Sequence, residues 1–209
     1  MAERDRIIVL GAGGHAKVVI ATLHAAGYQI ERLLDDDPAR QGGVILGTPV
    51  SGPLADVERY PGFRAVIAVG DNQARRQITE RFHGMEWVTV IHPQAIVHPS
   101  ARFGAGTVVF AGAIIQPDAA IGNHAIINTG ATIDHDCRIG DYAHIAPGCH
   151  LCGDVTIGDG ALLGVGSVVI PGKNIGSRAV IGAGSVVVHD LPSGITAAGT
   201  PARPIQIIN

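Results

Sequence analysis

The 209-residue chain is poor in rings: only 4% of its residues are Phe, Trp or Tyr, although 46% are hydrophobic. A core built on large aromatic side chains is excluded, and the apolar mass must come from Ala, Val, Ile and Leu packed in small, repeated units. Charge of one sign is also lacking. Fifteen Lys and Arg against eighteen Asp and Glu give a formal net charge of -3, no footprint for nucleic acid or an anionic membrane surface. No apolar run reaches ~18 residues, so no transmembrane span is expected. The opening Met-Ala-Glu-Arg-Asp-Arg lacks the longer apolar segment and cleavage site of a signal peptide. Only three cysteines are present, which suits reduced thiols and a cytoplasmic protein.

What the chain has in excess is glycine, 29 residues, about twice the usual ~7% share. There is no collagen-like triplet, and the 12 prolines are too few for a Pro-rich low-complexity chain. The surplus belongs to a repeat. Every sixth residue from Ile91 to Val187 is aliphatic or Phe, seventeen positions without a slip. Four residues after each stands a mostly small side chain, such as Ala113, Ala125, Cys137 or Ala143, with Val155 and Lys173 the bulky exceptions. Gly104, Gly122, Gly140, Gly158, Gly164, Gly176 and Gly182 directly follow aliphatic positions, as a corner with unusual backbone angles would require. A period of six is too long for strand alternation and does not fit a helix. It describes a short strand plus a turn, the hexapeptide signature of a parallel β-helix. Three hexapeptides make one triangular coil, so the repeat predicts roughly five coils.

The first ninety residues read differently. Ile7–Leu10 is a buried strand followed by Gly11-Ala12-Gly13-Gly14-His15-Ala16, and an apolar stripe at Val18, Val19, Leu23 and Ala26 predicts a helix ending at Gly27. Gln29 to Leu34 forms a second strand closed by Asp35-Asp36-Asp37-Pro38. Residues 65–69 form another, followed by Gly70-Asp71-Asn72 and a helix over 73–82. Alternating strands and helices indicate a parallel sheet. The predicted organisation is a Rossmann-like α/β domain over residues 1–90 and a β-helix domain with a C-terminal tail over 91–209.

The glycine loop satisfies the dinucleotide pattern G-x-G-x-x-A, so a NAD-binding enzyme is one reading. A full dinucleotide fold has two mononucleotide halves, and the repeat leaves room for about one, which favours a single nucleotide diphosphate at the helix N-terminus. His15 is placed to contact phosphate, and Asp35 and Asp36 could accept hydrogen bonds from a base or ribose.

Of the ten histidines, His24 and His83 read as surface helix residues, and His92, His98, His124, His150 and His189 as exposed residues at or beside coil corners. His135 differs because it stands between Asp134 and Asp136. A flanking anion stabilises imidazolium and raises the proton affinity of a general base, although spacing alone favours a solvated histidine. Cys137 and Cys149 occupy the small slot of the repeat, and the Cys149–Cys152 pair falls on the six-residue grid, which argues against zinc.

Several blocks stand in a telling order. They are the Gly-x-Gly-Gly-His-x-Lys loop, the strand ending in Asp-Asp, Val-Gly-Asp-Asn at 69–72, Asn-Thr-Gly-Ala-x-x-Asp-His-Asp-Cys at 128–137, and a terminal Gly-Thr-Pro-Ala-Arg at 199–203. Nearly the whole chain so resembles the bacterial nucleotide-sugar acetyltransferases of the NeuD type, which include GDP-perosamine and UDP-4-amino-sugar N-acetyltransferases. The resemblance implies a left-handed β-helix, a homotrimer with active sites between subunits, and acetyl-CoA as co-substrate without a metal. It further implies acetylation of the amine of a nucleotide-linked 4-amino-4,6-dideoxy sugar, for surface polysaccharide or glycan biosynthesis.

Carried over position by position, His135 matches the catalytic base, Asp136 the acid that raises its basicity, and Asn128 an active-site asparagine. His144 and the Gly153 N–H match positions near the acetyl thioester, with Val165 and Ala183 along the acetyl-CoA path. Gly13, Gly14, His15, Asp35, Asp36, Asp37, Gly70 and Asp71 match the nucleotide-sugar site. Some relatives carry Glu where this chain has Asp136. Rival readings are a sialic acid O-acetyltransferase, which shares the prism and base, a γ-class carbonic anhydrase-like zinc enzyme, whose histidine spacing is not visible here, and an acyl-cysteine route through Cys137.

Overall fold

The computed structural model describes residues 6–205. In chain order it begins with β1 (Arg6–Leu10), α1 (Gly14–Ala25), β2 (Gln29–Leu34), a hairpin of β3 (Val44–Ile45) and β4 (Thr48–Pro49), β5 (Arg64–Ile67), α2 (Asn72–Arg81) and β6 (Glu86–Trp87). β1, β2, β5 and β6 form one parallel sheet in the order β2-β1-β5-β6. The chain passes from β1 outward to β2 and returns to β5 on the other side of β1. The crevice beyond the carboxyl ends of β1 and β5 is therefore a switch point of the kind where α/β sheets bind ligands. Gly11 stands at its floor with φ 111, where a Cβ would come within 2.8 Å of Val69. The buried face of α1 is Ala16, Val19, Ile20 and Leu23. Val18, expected in that stripe, is 39% exposed.

From Val90 onward come seventeen two-residue strands, β7 (Val90–Ile91) to β23 (Val186–Val187), each ending on the aliphatic residue, or in one case Phe103, of the six-residue register. Successive coils pair in parallel with an offset of eighteen residues, as in Val108↔Ile126 and Ile114↔Thr132. The result is a triangular parallel β-helix. Its first sheet carries seven parallel strands, from β7 to β24 (Thr196–Ala198), with β25 (Arg203–Pro204) added antiparallel. The repeat thus climbs through six coils into a seventh, more than the roughly five expected, because Leu191 and β24 continue the stack after the regular period ends. The aliphatic column and the small column fill the prism interior as one dry core, with Ile115, Ile133, Cys137, Ala143 and Cys149 all at 0–1% exposure.

The corner glycines have a different cause from the one the sequence suggests. Gly104 and Gly164 lack a positive φ; a Cβ at either would lie 2.5 Å from the backbone nitrogen of the next coil, Asn123 or Ala183. Close stacking, not backbone angle, demands glycine there. The left-handed corner position two residues later also accepts side chains: Asp136 (φ 62), His124 (φ 51) and Tyr142 (φ 58).

The three prism faces differ in what they turn outward. The first is covered near its start by α1, so that Val90, Val108, Phe110 and Ile126 share a core with Val19 and Leu23. The third shows Arg102, Ala120, Arg138, Thr156 and Asn174. The second shows Ile96, Ile114, Thr132, His150, Val168 and Val186, a mostly apolar stripe in which Ile96 is 66% exposed. Among the described residues no helix is long and apolar enough to cross a membrane.

Candidate active site

The corner between the second and third faces is formed, coil by coil, by Pro99, Pro117, His135, Gly153, Pro171 and His189. Proline in three coils shows that the stack needs no N–H from this position. In the His135 coil, the left-handed backbone of Asp136 folds its carboxylate back so that Oδ2 lies 2.8 Å from His135 Nδ1. The His135 N–H donates to Asp134 Oδ1 at 2.8 Å. The Asp136 hydrogen bond, with the nearby Asp134 and Asp154 charges, raises the His135 pKa above the ordinary histidine value. A Cβ at Gly153 would lie 2.5 Å from both Cε1 and Nε2 of the His135 ring, so glycine is what lets the ring rest on the next coil. The Asp154 N–H donates to the His135 carbonyl at 2.9 Å, whereas the Gly153 N–H has no acceptor among the described residues. An imidazole with its Nδ1 engaged by a carboxylate, its Nε2 open and an unused N–H beside it has the parts of a base and an oxyanion donor.

Asn128 and His144 stand elsewhere, on the first face. Asn128 Nδ2 lies 3.0 Å from His144 Nε2, and Asn128 Oδ1 accepts the Thr129 N–H at 2.8 Å. The His144 ring also lies 6.3 Å from the His15 ring. Burial, aided by Arg75 and His15, lowers His144 to about 4. Burial and Arg75 bring His15, which packs edge-on against Phe110 at 5.4 Å, to about 4 as well. His15 Nε2 is buried without a partner. Val165, 56% exposed, and exposed Ala183 lie on the corner that Asn128 begins, between the first and second faces. Within one chain, then, the sequence-predicted residues form two groups at opposite edges of the second face: His135, Asp136 and Gly153 at one, and Asn128, His144, Val165 and Ala183 at the other.

The crevice of the α/β sheet carries the remaining residues. Gly13 caps α1 without a side-chain hydrogen bond, leaving the first helical N–H groups available to an anion. Gly70 lies against His15, whose ring Cγ is 3.9 Å from where a Gly70 Cβ would stand. Asp71 caps α2 by accepting the Ala74 N–H at 2.7 Å. Asp35 is 8% exposed and serves the chain itself: it accepts the Ala12 N–H at 2.6 Å, the Asp37 N–H at 2.8 Å and Arg40 at 3.0 Å. Asp36 and Asp37 are about half exposed and paired with Arg81 and Arg40. A cavity of about 760 Å³ runs from Gly70, Asp71 and Asn72 past His144 to Leu162, Arg178 and Val180.

Sequence reasoning missed three residues. Arg40 lies over the glycine loop, its Nη1 3.2 Å from where a Gly13 Cβ would stand; its only signal was a cation just after the acidic triplet. Arg75 is 1% exposed, although an arginine on a polar helix reads as solvated. His124, expected at the surface, is 5% exposed, stacked on Tyr142 at 5.4 Å and edge-on to Trp87, because α2 and β6 cover that corner. Cys137 is buried, its thiol directed at the Cys152 carbonyl, and burial pushes it up to about 11. Among the described residues no group of three or more His, Cys, Asp or Glu could hold a metal ion.

Residues 6–82 match the family model described as the PglD N-terminal domain, and residues 136–171 the bacterial transferase hexapeptide model. Among solved structures, the chain is similar to PerB from Caulobacter crescentus in complex with CoA and GDP-perosamine. The identity is 45%, covering 96% of this chain and 97% of that one, with a TM-score of 0.90. It is also similar to the acetyltransferase domain of PglB from Neisseria gonorrhoeae FA1090 in complex with acetyl coenzyme A, at 41% identity, 97% and 100% coverage and a TM-score of 0.91. The UDP-N-acetylbacillosamine N-acetyltransferase of Bacillus subtilis (strain 168) is 43% identical over 109 residues, 49% of this chain and 50% of that protein. The chain spans half or less of the length of the curated relatives it matches.

Proposed function

This chain belongs to the bacterial hexapeptide-repeat nucleotide-sugar acetyltransferases, and from that premise we propose that it transfers the acetyl group of acetyl-CoA to the amine of a nucleotide-linked 4-amino-4,6-dideoxy sugar. The observation that carries the reading is the His135–Asp136 pair beside the unused Gly153 N–H. With its Nδ1 proton donated to Asp136, His135 presents a lone pair at Nε2. It takes the proton of the amine as the nitrogen attacks the thioester carbonyl, a role typically worth ~10²–10⁴ in rate. The N–C bond forms, the oxyanion is met by the Gly153 N–H, and collapse breaks the C–S bond. His135 then returns the proton to the departing CoA thiolate. Donors of this kind are typically worth ~2.7–4 kcal/mol. A protonated, buried Cys137 disfavours an acyl-cysteine intermediate, because the thiolate is the nucleophile.

The nucleotide diphosphate lies in the crevice of the α/β sheet, against Gly13, Gly14, His15 and the α2 N-terminus at Gly70 and Asp71, with Arg40 above. Asp36 and Asp37 face the base or ribose while Asp35 holds the loop. Acetyl-CoA runs along the corner of Val165 and Ala183 toward His144. Three copies packed by their apolar second faces form a closed homotrimer. The His135 corner of one chain then meets the Asn128 corner of the next, which reunites the two groups that a single chain keeps apart. The three free thiols suit a reducing compartment, and we place the reaction in the cytoplasm, in surface-glycan biosynthesis.

The test is a panel of GDP-, UDP- and dTDP-linked 4-amino sugars and free sialic acid, each with acetyl-CoA, read by product mass. N-acetylation of at least one nucleotide-linked amino sugar is expected. Acetylation of sialic acid alone would overturn the substrate class.

A further inference from the structure

Three residues on one face of α2, Asn72, Arg75 and Thr79, carry polar bonds to the corner between the third and first prism faces. Asn72 Nδ2 donates to the carbonyls of Gly160 at 3.0 Å and Ala161 at 3.2 Å. Arg75 donates from Nε to the His124 carbonyl at 3.1 Å and from Nη2 to the Tyr142 carbonyl at 2.8 Å. Thr79 Oγ1 lies 2.8 Å from the Tyr142 hydroxyl. His124, Tyr142 and Gly160 occupy the same place in three successive coils. The helix therefore lies along the corner across three coils, its N-terminus toward the C-terminal end of the prism. The loop before α2 hangs on the same joint: Arg75 Nη1 donates to the carbonyls of Val69 at 3.2 Å and Gly70 at 2.8 Å, and Nη2 also to Asn72 Oδ1 at 2.7 Å.

All five N–H groups of Arg75, which is 1% exposed, are thus spent on oxygens, none of them a carboxylate. A charge buried in this way is costly, and an apolar side chain of similar volume would often be cheaper. What only arginine supplies is a planar fork that meets two coils and a loop at once. The other contact between the α/β domain and the prism is apolar, Val19 and Leu23 of α1 against Val90, Val108 and Ile126. Such burial is non-directional and leaves the height of one part on the other unfixed. The corner carbonyls recur once per coil, about 4.8 Å apart, so a helix displaced by less than a whole coil loses them. We infer that Arg75 is a positioning residue: with Asn72 it sets the height of loop 69–72 on the prism, and with it the distance from the acceptor amine to the acetyl thioester. This rests on the reading that Gly70 and Asp71 border the nucleotide diphosphate and that acetyl-CoA follows the Val165 corner of the same prism. Each ligand binds its own part of the chain, and their mutual placement runs through α2.

The experiment compares the full-length wild type with Arg75→Lys, which keeps the charge but not the fork, and Asn72→Ala, which removes the bonds to Gly160 and Ala161. Calorimetry measures the affinities for CoA and for GDP, UDP and dTDP in turn, and CoA release measures kcat with the amino-sugar nucleotide. Both affinities should be essentially unchanged. A misplacement of about 1 Å can cost ~10² in rate, so kcat should fall about a hundredfold in Arg75→Lys and about tenfold in Asn72→Ala. An unchanged kcat would overturn the inference, and so would a loss of nucleotide affinity large enough to account for the loss of rate, since Arg75 would then shape the pocket and not its placement. If the wild type acetylates no nucleotide-linked amino sugar, the functional reading falls, and hydrogen exchange decides the inference without turnover. Residues 69–75 should exchange faster in both variants while residues 7–10 do not; identical exchange would overturn it. Asn72 is only half-buried, so Asn72→Ala decides if Arg75→Lys does not fold.

Discussion

The His135 imidazole rests on the Cα of Gly153, one coil further along the prism, with no room for a methyl group between them: a Cβ there would lie 2.5 Å from Cε1 and Nε2. The contact ties the orientation of the His135 ring, the proposed base, to one glycine. Gly153→Ala should tilt the ring away from Asp136 and from the adjacent N–H. Misplacement of a reacting group by about 1 Å can cost ~10² in rate, so kcat should fall about a hundredfold with melting behaviour little changed. Steady-state kinetics beside a thermal melt would check this; wild-type kcat in Gly153→Ala would contradict the packing argument.

The Asp136 hydrogen bond raises the His135 pKa. A base at His135, as proposed, works only when neutral, so kcat should rise with pH through that raised value and then level off. Asp136→Asn removes the charge while keeping an acceptor. The rising limb should shift to lower pH, and the plateau should drop roughly tenfold because a weaker base drives proton transfer less well. A pH–rate profile of the two proteins reads both changes. An unshifted limb would separate Asp136 from the base.

His15, His124 and His144 are each lowered from 6.5 to about 4, chiefly by burial. The unfolded chain takes up protons on them below about 6.5, while the folded chain resists until about 4. Their contribution is therefore complete above 6.5 and is lost as pH falls from 6.5 toward 4. The urea midpoint should decline across that window. His124→Phe, which keeps the stacked ring but cannot take up a proton, should flatten the decline, and an unaltered slope would contradict the assignment.

The two groups of proposed site residues lie at opposite edges of the second face. His135→Ala and Asn128→Ala should each be nearly inactive. Co-expressed in equal amounts, they should regain about a quarter of wild-type activity, because a random cleft in a cyclic trimer pairs an intact His135 with an intact Asn128 one time in four. A mixture as inactive as its parts would place the site within one chain.

How much of this was legible depended on how local the cause was. The seventeen positions of the repeat, aliphatic but for Phe103, were readable because every prism side buries the same residue of its hexapeptide. The His135–Asp136 pair was readable because the two residues are neighbours. The corner glycines were recognised but given the wrong reason: Gly104 answers to the backbone of Asn123 in the next coil, a constraint that appears only once coils are stacked. Arg75 and His124 were not legible. Their burial arises where α2 packs on the corner, through a hydrogen bond spanning 49 residues of sequence, and neither residue type signals a buried position. Asp35 was identified as a key acid, but its oxygens turn to Ala12, Asp37 and Arg40, partners that only the folded loop brings together.

The central claim is that His135 is the base for acetyl transfer to a nucleotide-linked amino sugar. Its most direct test compares His135→Ala with the wild type, measuring kcat by CoA release and binding of the amino-sugar nucleotide by calorimetry. The account predicts a kcat lower by at least about a hundredfold with binding affinity essentially unchanged; turnover close to the wild-type rate would contradict it.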